Sequence, residues 1–178
     1  MKKIKMTLVV VTSMMLSFVG FAQDVKTQVS VDFKIRNLGI HVDGRFNKSS
    51  ITTNFTDPDP SKWTLYGSVE SNSINTDNKK RDKHIKEEDY FDVVNYPQIT
   101  LEATKFKKIS ETKYDVTVSL TIKKTTKTLT IPVEIIGDGN SFKLRSDFEI
   151  NRRDFDVGGS SLILSNTVKI SVNYYLNN

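Results

Sequence analysis

Arg81, Asp82, His84 and Glu88 fall within the stretch RDKHIKEE, which sets one of the chain's two histidines among carboxylates and cations. A histidine beside a carboxylate can serve as a general base. Nucleophilic catalysis would also need a thiol or a serine on a strained turn, and the chain has neither cysteine nor a G-x-S-x-G. On a helix, His84 and Glu88 would lie side by side facing solvent, as an ordinary surface ion pair. The stretch reads better as a charged surface than as an active site, and no catalytic residue is assigned. His41 and His84 stand in separate elements, and DNKKRD lacks the alternating oxygen ligands and turn glycine of a calcium loop, so no metal site and no cofactor are expected. Gly39, Gly44 and the pair Gly158-Gly159 precede no helix; they read as bends or bulges rather than phosphate loops. Lys123-Lys124-Thr125-Thr126-Lys127 reads as a solvated hairpin turn before it reads as an anion site.

The elements that would carry these residues are strands. Val29, Val31, Phe33 and Ile35 alternate with polar neighbours, as do Ile40, Val42 and Phe46, then Trp63, Leu65 and Val69. The same period of two runs through Ile99 to Ala103, Tyr114 to Ile122, Leu129 to Ile135, Phe142 to Ile150 and Val168 to Leu176. Asp57-Pro58-Asp59-Pro60, Gly137-Asp138-Gly139-Asn140 and Gly158-Gly159-Ser160-Ser161 supply turns between them. The pattern predicts one antiparallel all-β domain of about eight main strands, with a short extra one near Ile51 to Phe55. Alternation alone leaves open whether the dry face is buried in a sandwich or in a closed barrel. One helix interrupts the pattern. Asp77 is a reasonable N-cap, Asn78 to Glu88 are polar helix formers, and Ile85, Tyr90, Phe91 and Val93 give one thin apolar side. It predicts a short cover laid against the end of the sheet.

The first 22 residues read as an export signal. Lys2, Lys3 and Lys5 precede an apolar run from Met6 to Phe18, and Gly20 and Ala22 place cleavage between Ala22 and Gln23. A retained anchor would need about 20 apolar residues, and Gly20, Gln23 and Asp24 arrive too soon. Cleavage removes three lysines and no acid, so the net charge falls from +5 to +2. That charge, dispersed among Asp and Glu, excludes nucleic acid as a partner. Without cysteine there is no disulfide framework and no lipid-bearing cysteine. The mature chain, residues 23–178, is expected as one exported domain, periplasmic or secreted, that spans no membrane; a homodimer is left open.

Apolar surface is what remains. The inward parities offer Phe33, Ile35, Phe46, Trp63, Leu65, Val69, Leu101, Val118, Leu120, Phe142, Phe148 and Ile170. Singly, each is more simply a core residue. Together, around a closed barrel, they would line a dry tube for a long apolar chain, each buried methylene contributing about 0.8 kcal/mol. Two other readings stay open: an eight-stranded outer-membrane barrel turned inside out, and a filled barrel acting through its surface.

SINTDNKKRDKHIKEEDYFDVVNYPQITLEATKF, residues 73–107, resembles the central signature of the YceI-like family of exported polyisoprenoid-binding proteins. FKIRNLGIHVDGRF, YDVTVSLTIKKTTKTLTIPVEI and FEINRRDFDVGGSSLILSNTVKISV resemble its opening strand pair, middle hairpin and closing segment. The resemblance implies a lipocalin-like antiparallel barrel with a helical insert around a tubular apolar pocket. It implies no enzymatic activity, and an amphiphilic lipid as ligand, such as an isoprenoid quinone. Arg81, Asp82, His84, Asp89, Phe91, Asp92, Tyr96 and Pro97 then occupy the helix-and-turn signature, and Asn151, Arg152, Asp154 and Phe155 a second polar one. Three positions depart from the family pattern: Asn37 where histidine is common, Lys124 where glycine is common, and Asp156 where glycine or an aromatic residue often follows the phenylalanine.

Overall fold

The computed structural model describes residues 26–55, 57–138 and 141–177. The export segment, and Gly139 and Asn140 of the GDGN turn, lie outside the described residues. Ten strands follow in order: β1 Lys26–Asn37, β2 Ile40–Phe46, β3 Ser49–Thr53, β4 Leu65–Glu70, β5 Ile74–Asn75, β6 Gln98–Lys108, β7 Lys113–Ile122, β8 Thr125–Asp138, β9 Ser141–Asn151 and β10 Leu164–Asn177. They form one antiparallel sheet in the order β3-β4-β6-β7-β8-β9-β10-β1-β2-β5. The eight main strands and the short extra one, here β3, are as expected, and the two-residue β5 is the one addition. Only Asn47 and Lys48 separate β2 from β3, yet β2 pairs with β1 and β3 with β4 at opposite ends of the sheet order. The chain itself therefore bridges the two flanks, and the sheet curls into a barrel-like half-cylinder.

Alternation sets the inside. Tyr114, Val116, Val118, Leu120 and Ile122 of β7 are all buried, while the residues between them are not. On β9, Phe142, Leu144, Ser146 and Ile150 point inward, and Lys143, Arg145, Asp147 and Glu149 stand between them. Two irregularities bend the sheet, one at Ile35/Asn37 of β1 and one at Ala103/Lys105 of β6. The second shifts parity by one residue, so Phe106 joins Leu101 and Ala103 against the core. Gly44 faces Phe33 across β1 and β2, and a Cβ there would collide with the ring: the glycine is what lets Phe33 lie flat over its neighbour.

The helix α1, Lys79–Ile85, is shorter than its sequence suggests. Its N-cap is Asn78, whose Oδ1 accepts a hydrogen bond from Arg81 N, rather than Asp77. Asp77 is in the left-handed region (φ 58°) and is taken by Arg45, 3.0 Å away. After Ile85 the chain folds back through turns, with Phe91 N donating to Ile85 O at 3.1 Å and Tyr96 N to Asp92 O at 2.8 Å. His84 consequently meets Glu87, at 3.3 Å, and not Glu88.

The two ends differ. Six aromatic residues close one of them. Phe55 touches Trp63 (4.9 Å between centroids), Phe142 (5.3 Å) and Phe106 (5.7 Å), Trp63 touches Tyr114 (5.2 Å), and Phe142 touches Tyr174 (5.5 Å). Trp63 Nε1 donates to Asp57 O at 2.6 Å, which pins the plug to the β3–β4 connection. The other end gathers the β1–β2 turn, the β4–β6 insert with α1, the β7–β8 turn and the segment joining β9 to β10.

Candidate functional site: an apolar cavity under a helical cover

Between the aromatic plug and the cover lies a cavity of about 370 Å³, within the range of small-molecule sites. Its walls are the inward residues of the strands, from Val31 to Asn37 on β1 and from Val116 to Ile122 on β7. Six residue steps make it about 20 Å long along the strands. Ten of the twelve residues expected to line a tube do line it: Phe33, Ile35, Phe46, Leu65, Val69, Leu101, Val118, Leu120, Phe148 and Ile170. Trp63 and Phe142 do not. They share the inward parity but sit at the height of the plug, packed on Phe55. Alternation tells which face a side chain takes and says nothing of its height along the barrel. Other wall residues come from the cover, among them Ile74, Ile85, Val157, Ile163 and Leu164. No period marks these; only Ile85, alone in a polar helix, carried a signal.

The family-motif residues build the cover. Asp82 Oδ1 accepts from Thr76 N at 2.9 Å and from Thr76 Oγ1 at 2.5 Å, while Arg81 donates from Nε to Thr76 Oγ1 and from Nη2 to Thr76 O, both at 2.8 Å. Thr76 is buried, so this cluster clamps α1 to the residue that leaves β5. Phe91 packs edge-on against Phe46, at 6.1 Å between centroids. Asp92 turns left-handed (φ 47°) and accepts from Asn95 Nδ2. The carbonyls of Tyr96 and Pro97 accept from buried Ser71, which fixes the start of β6. His84 lies edge-on to Tyr90 with a half-exposed ring at the cavity rim. Its carboxylate partner is the equally exposed Glu87, three residues on.

The second motif forms the opposite wall of the mouth. Asn151 Oδ1 accepts from Arg153 N at 3.0 Å, capping a 3-10 turn over Arg152–Phe155. Phe155 is buried, Asp154 lies in the first turn, and Asp156 ends it at φ 54°. A glycine is the easiest residue in that left-handed conformation, and Asp tolerates it. Lys124 is different: the positive φ of the β7–β8 turn falls on Lys123, so position 124 has no need of glycine. Arg152 is 3% exposed and, among the described residues, has no carboxylate partner. Its guanidinium donates instead to Ser165 O, Val157 O, Gly158 O, Gly159 O, Leu164 O and Asn166 Oδ1. Burial lowers its pKa, with nearby Arg153 adding to the effect. Lys123 Nζ, donating to Glu88 O and Asp156 O at 3.1 Å each, and Gly158 N, donating to Asp89 O at 2.8 Å, stitch this wall to the helical cover. Asn37 also faces the cavity, and its Oδ1 is buried with no hydrogen-bond partner among the described residues. The position thus keeps a polar atom on the cavity wall.

This geometry has counterparts. A UPF0312 protein of Pectobacterium carotovorum is 30% identical over 134 residues, 71% of this chain and 69% of that protein. The crystal structure of BcnA from Burkholderia cenocepacia superposes with a TM-score of 0.78 at 25% identity, covering 83% of this chain and 95% of that one. A polyisoprenoid binding domain from Saccharophagus degradans superposes with a TM-score of 0.67 over 84% of this chain and 93% of that one; at 12% identity it shows a common fold. Residues 23–176, which contain every strand of the barrel save the last residue of β10, match the YceI-like domain, and the chain belongs to that family.

Proposed function

We propose that the protein binds one long-chain amphiphile, of the isoprenoid class that includes isoprenoid quinones, and carries or sequesters it without chemical change. The observation that carries this reading is the continuous cavity of about 370 Å³ walled by alternate residues of the strands. Apolar walls reward each methylene they take out of water, and Asn37 offers one polar contact near the mouth. The fold shared with a domain described as polyisoprenoid binding supports the same ligand class. The amino-terminal signal supports action outside the cytoplasm, in the periplasm or beyond it. A filled barrel accords poorly with the cavity. An inverted membrane barrel accords poorly with charged Lys143, Arg145, Asp147 and Glu149 on the outer face of β9, where lipid would lie.

Protein purified without detergent from its native host, extracted with organic solvent and analysed by mass spectrometry, should yield a stoichiometric isoprenoid lipid. Adding an isoprenoid quinone to lipid-stripped protein should raise its melting temperature. Absence of both results would refute the proposal.

A further inference from the structure

Among the described residues, the large apolar side chains left in solvent are unevenly placed. Leu162 is fully exposed, Ile40 is 70%, Leu38 68% and Ile163 52% exposed. These four sit on two adjoining tips, the β1–β2 turn and the segment before β10, and Leu38 N donates to Ile163 O at 2.9 Å to join them. Val94, 88% exposed, stands on the helical cover at the same end of the barrel. Of the other exposed ones, Ile136 and Tyr175 flank Lys143 on the outer face near the plug end, Ile109 follows β6 at that end, and Tyr66 stands on β4. Contiguous apolar surface of this kind marks a contact with a partner or a membrane.

We propose that these two tips are a membrane-docking rim that seats the open mouth of the cavity on an anionic phospholipid surface. Three features select a bilayer as the occupant. First, the rim is continuous with the cavity, since Asn37, Ser161, Ile163 and Leu164 belong to both. Secondly, the charge is suitable. Between Ile35 and Val42 the ionisable residues are Arg36 and His41, and between Val157 and Val168 there are none. Arg36 Nε donates to His41 Nε2 at 3.3 Å and no carboxylate among the described residues engages it, whereas Lys34 and Lys169, further down the strands, are paired with Asp43 and Glu149. The two tips carry no carboxylate and present the Arg36 guanidinium, which suits anionic headgroups, while the acids of the mouth, Glu87, Glu88, Asp154 and Asp156, stand on the helical cover and the 3-10 turn. Thirdly, the apolar tip is held out rigidly. Arg152 fastens the carbonyls on both sides of Leu162, and Ser161 Oγ accepts from Ile163 N and Leu164 N. A loop fixed with its leucine in water is preorganised for insertion.

Docking gives the proposed lipid ligand a dry route into the cavity, and for that purpose it rests on the proposed function; the two are measured separately. Purified wild type, Leu38→Ser/Leu162→Ser and Arg36→Gln, all with the same amino terminus, are floated with vesicles of phosphatidylcholine, with and without phosphatidylglycerol. Wild type should float, most strongly with the anionic vesicles. The double variant should lose about tenfold or more in partitioning, with an unchanged melting temperature because both leucines are exposed. Arg36→Gln should lose about fivefold on anionic vesicles alone. A wild type that floats with neither composition, or a double variant that floats equally well, overturns the proposal. So does a wild-type dimer that the double variant converts to monomer without any flotation, which would assign the patch to a second copy. Quinone-induced stabilisation in the same proteins separates the two readings: uptake without flotation sinks docking alone, and flotation without uptake sinks the cavity assignment alone.

Discussion

Replacing Arg152 with methionine should cost about 3–5 kcal/mol of stability, a large part of the total for a domain of this size. The figure follows from the acceptors left behind. Val157 O and Gly158 O, at 2.8 and 2.5 Å from Nη1, are fully enclosed, and each would lose its guanidinium donor. A stranded carbonyl costs about 1–3 kcal/mol. The other four acceptors are only partly buried and recover much of their loss by hydration. Against this stands relief from burying a cation, a strain visible in the lowered pKa of Arg152. That relief is small because its N–H groups are satisfied, and the packed side chain replaces the burial cost with hydrogen bonds. Urea unfolding followed by Trp63 fluorescence, at the far end of the barrel, reads the global transition. Arg152→Lys should recover part of the loss, since an ammonium keeps three donors. No carboxylate is among the partners, so the loss should persist at high salt. A loss below about 1 kcal/mol, or one that salt abolishes, refutes the reasoning.

Val118 has no exposure and lies midway along the cavity wall, so Val118→Trp should fill the cavity and abolish quinone-induced stabilisation while shifting stability by no more than about 1–3 kcal/mol. A melting shift that survives this substitution would place the ligand elsewhere. His84→Ala should change stability by less than about 0.5 kcal/mol and leave bound lipid in place, because the ring and its partner are exposed. Phe91→Ala, which breaks the contact with Phe46, should cost about 1–3 kcal/mol in the same unfolding assay. The Asp147 carboxyl is held below its usual range first by the Ser171 hydroxyl, 2.6 Å away, and then by Arg145. Its contribution is therefore present above the unfolded carboxylate pKa and lost as pH falls through the lower folded value. The stability gap between wild type and Asp147→Asn should be widest near neutral pH and should close on acidification.

The strands were legible because a curved sheet with one dry face imposes a period of two wherever ladder register is regular. Val116, Val118 and Leu120 follow it without exception. Phe106 escaped because the irregularity at Ala103/Lys105 inserts a residue and reverses the parity beyond it, and spacing alone does not show where a strand bulges. The helix boundaries failed for tertiary reasons. Asp77 and Asn78 are both good caps, and Arg45, distant in sequence, takes Asp77. Propensity extends to Glu88, but Tyr90 and Phe91 must reach back over the barrel, and the chain turns after Ile85 to let them.

The cavity was legible as a set of inward residues and illegible as a shape. Parity put Trp63 and Phe142 in the tube; only register, which decides height, moved them into the plug and left the other end open. The helical cover was legible in outline, but the wall residues it and the segment before β10 contribute were not, because turns have no period and their contribution depends on contacts such as those of Arg152. Asn37 lets the two roles of the wall be separated. In a wall built only for stability, a buried oxygen without a partner is a defect costing about 1–3 kcal/mol. Asn37→Leu should then raise the unfolding free energy of lipid-free protein by about 1 kcal/mol. If the amide meets a ligand's polar head, the same substitution should weaken quinone binding, measured by titration, by about tenfold. Opposite signs in one variant assign the oxygen to the ligand, stabilisation with unchanged affinity makes it a defect of packing, and destabilisation of the lipid-free protein refutes both.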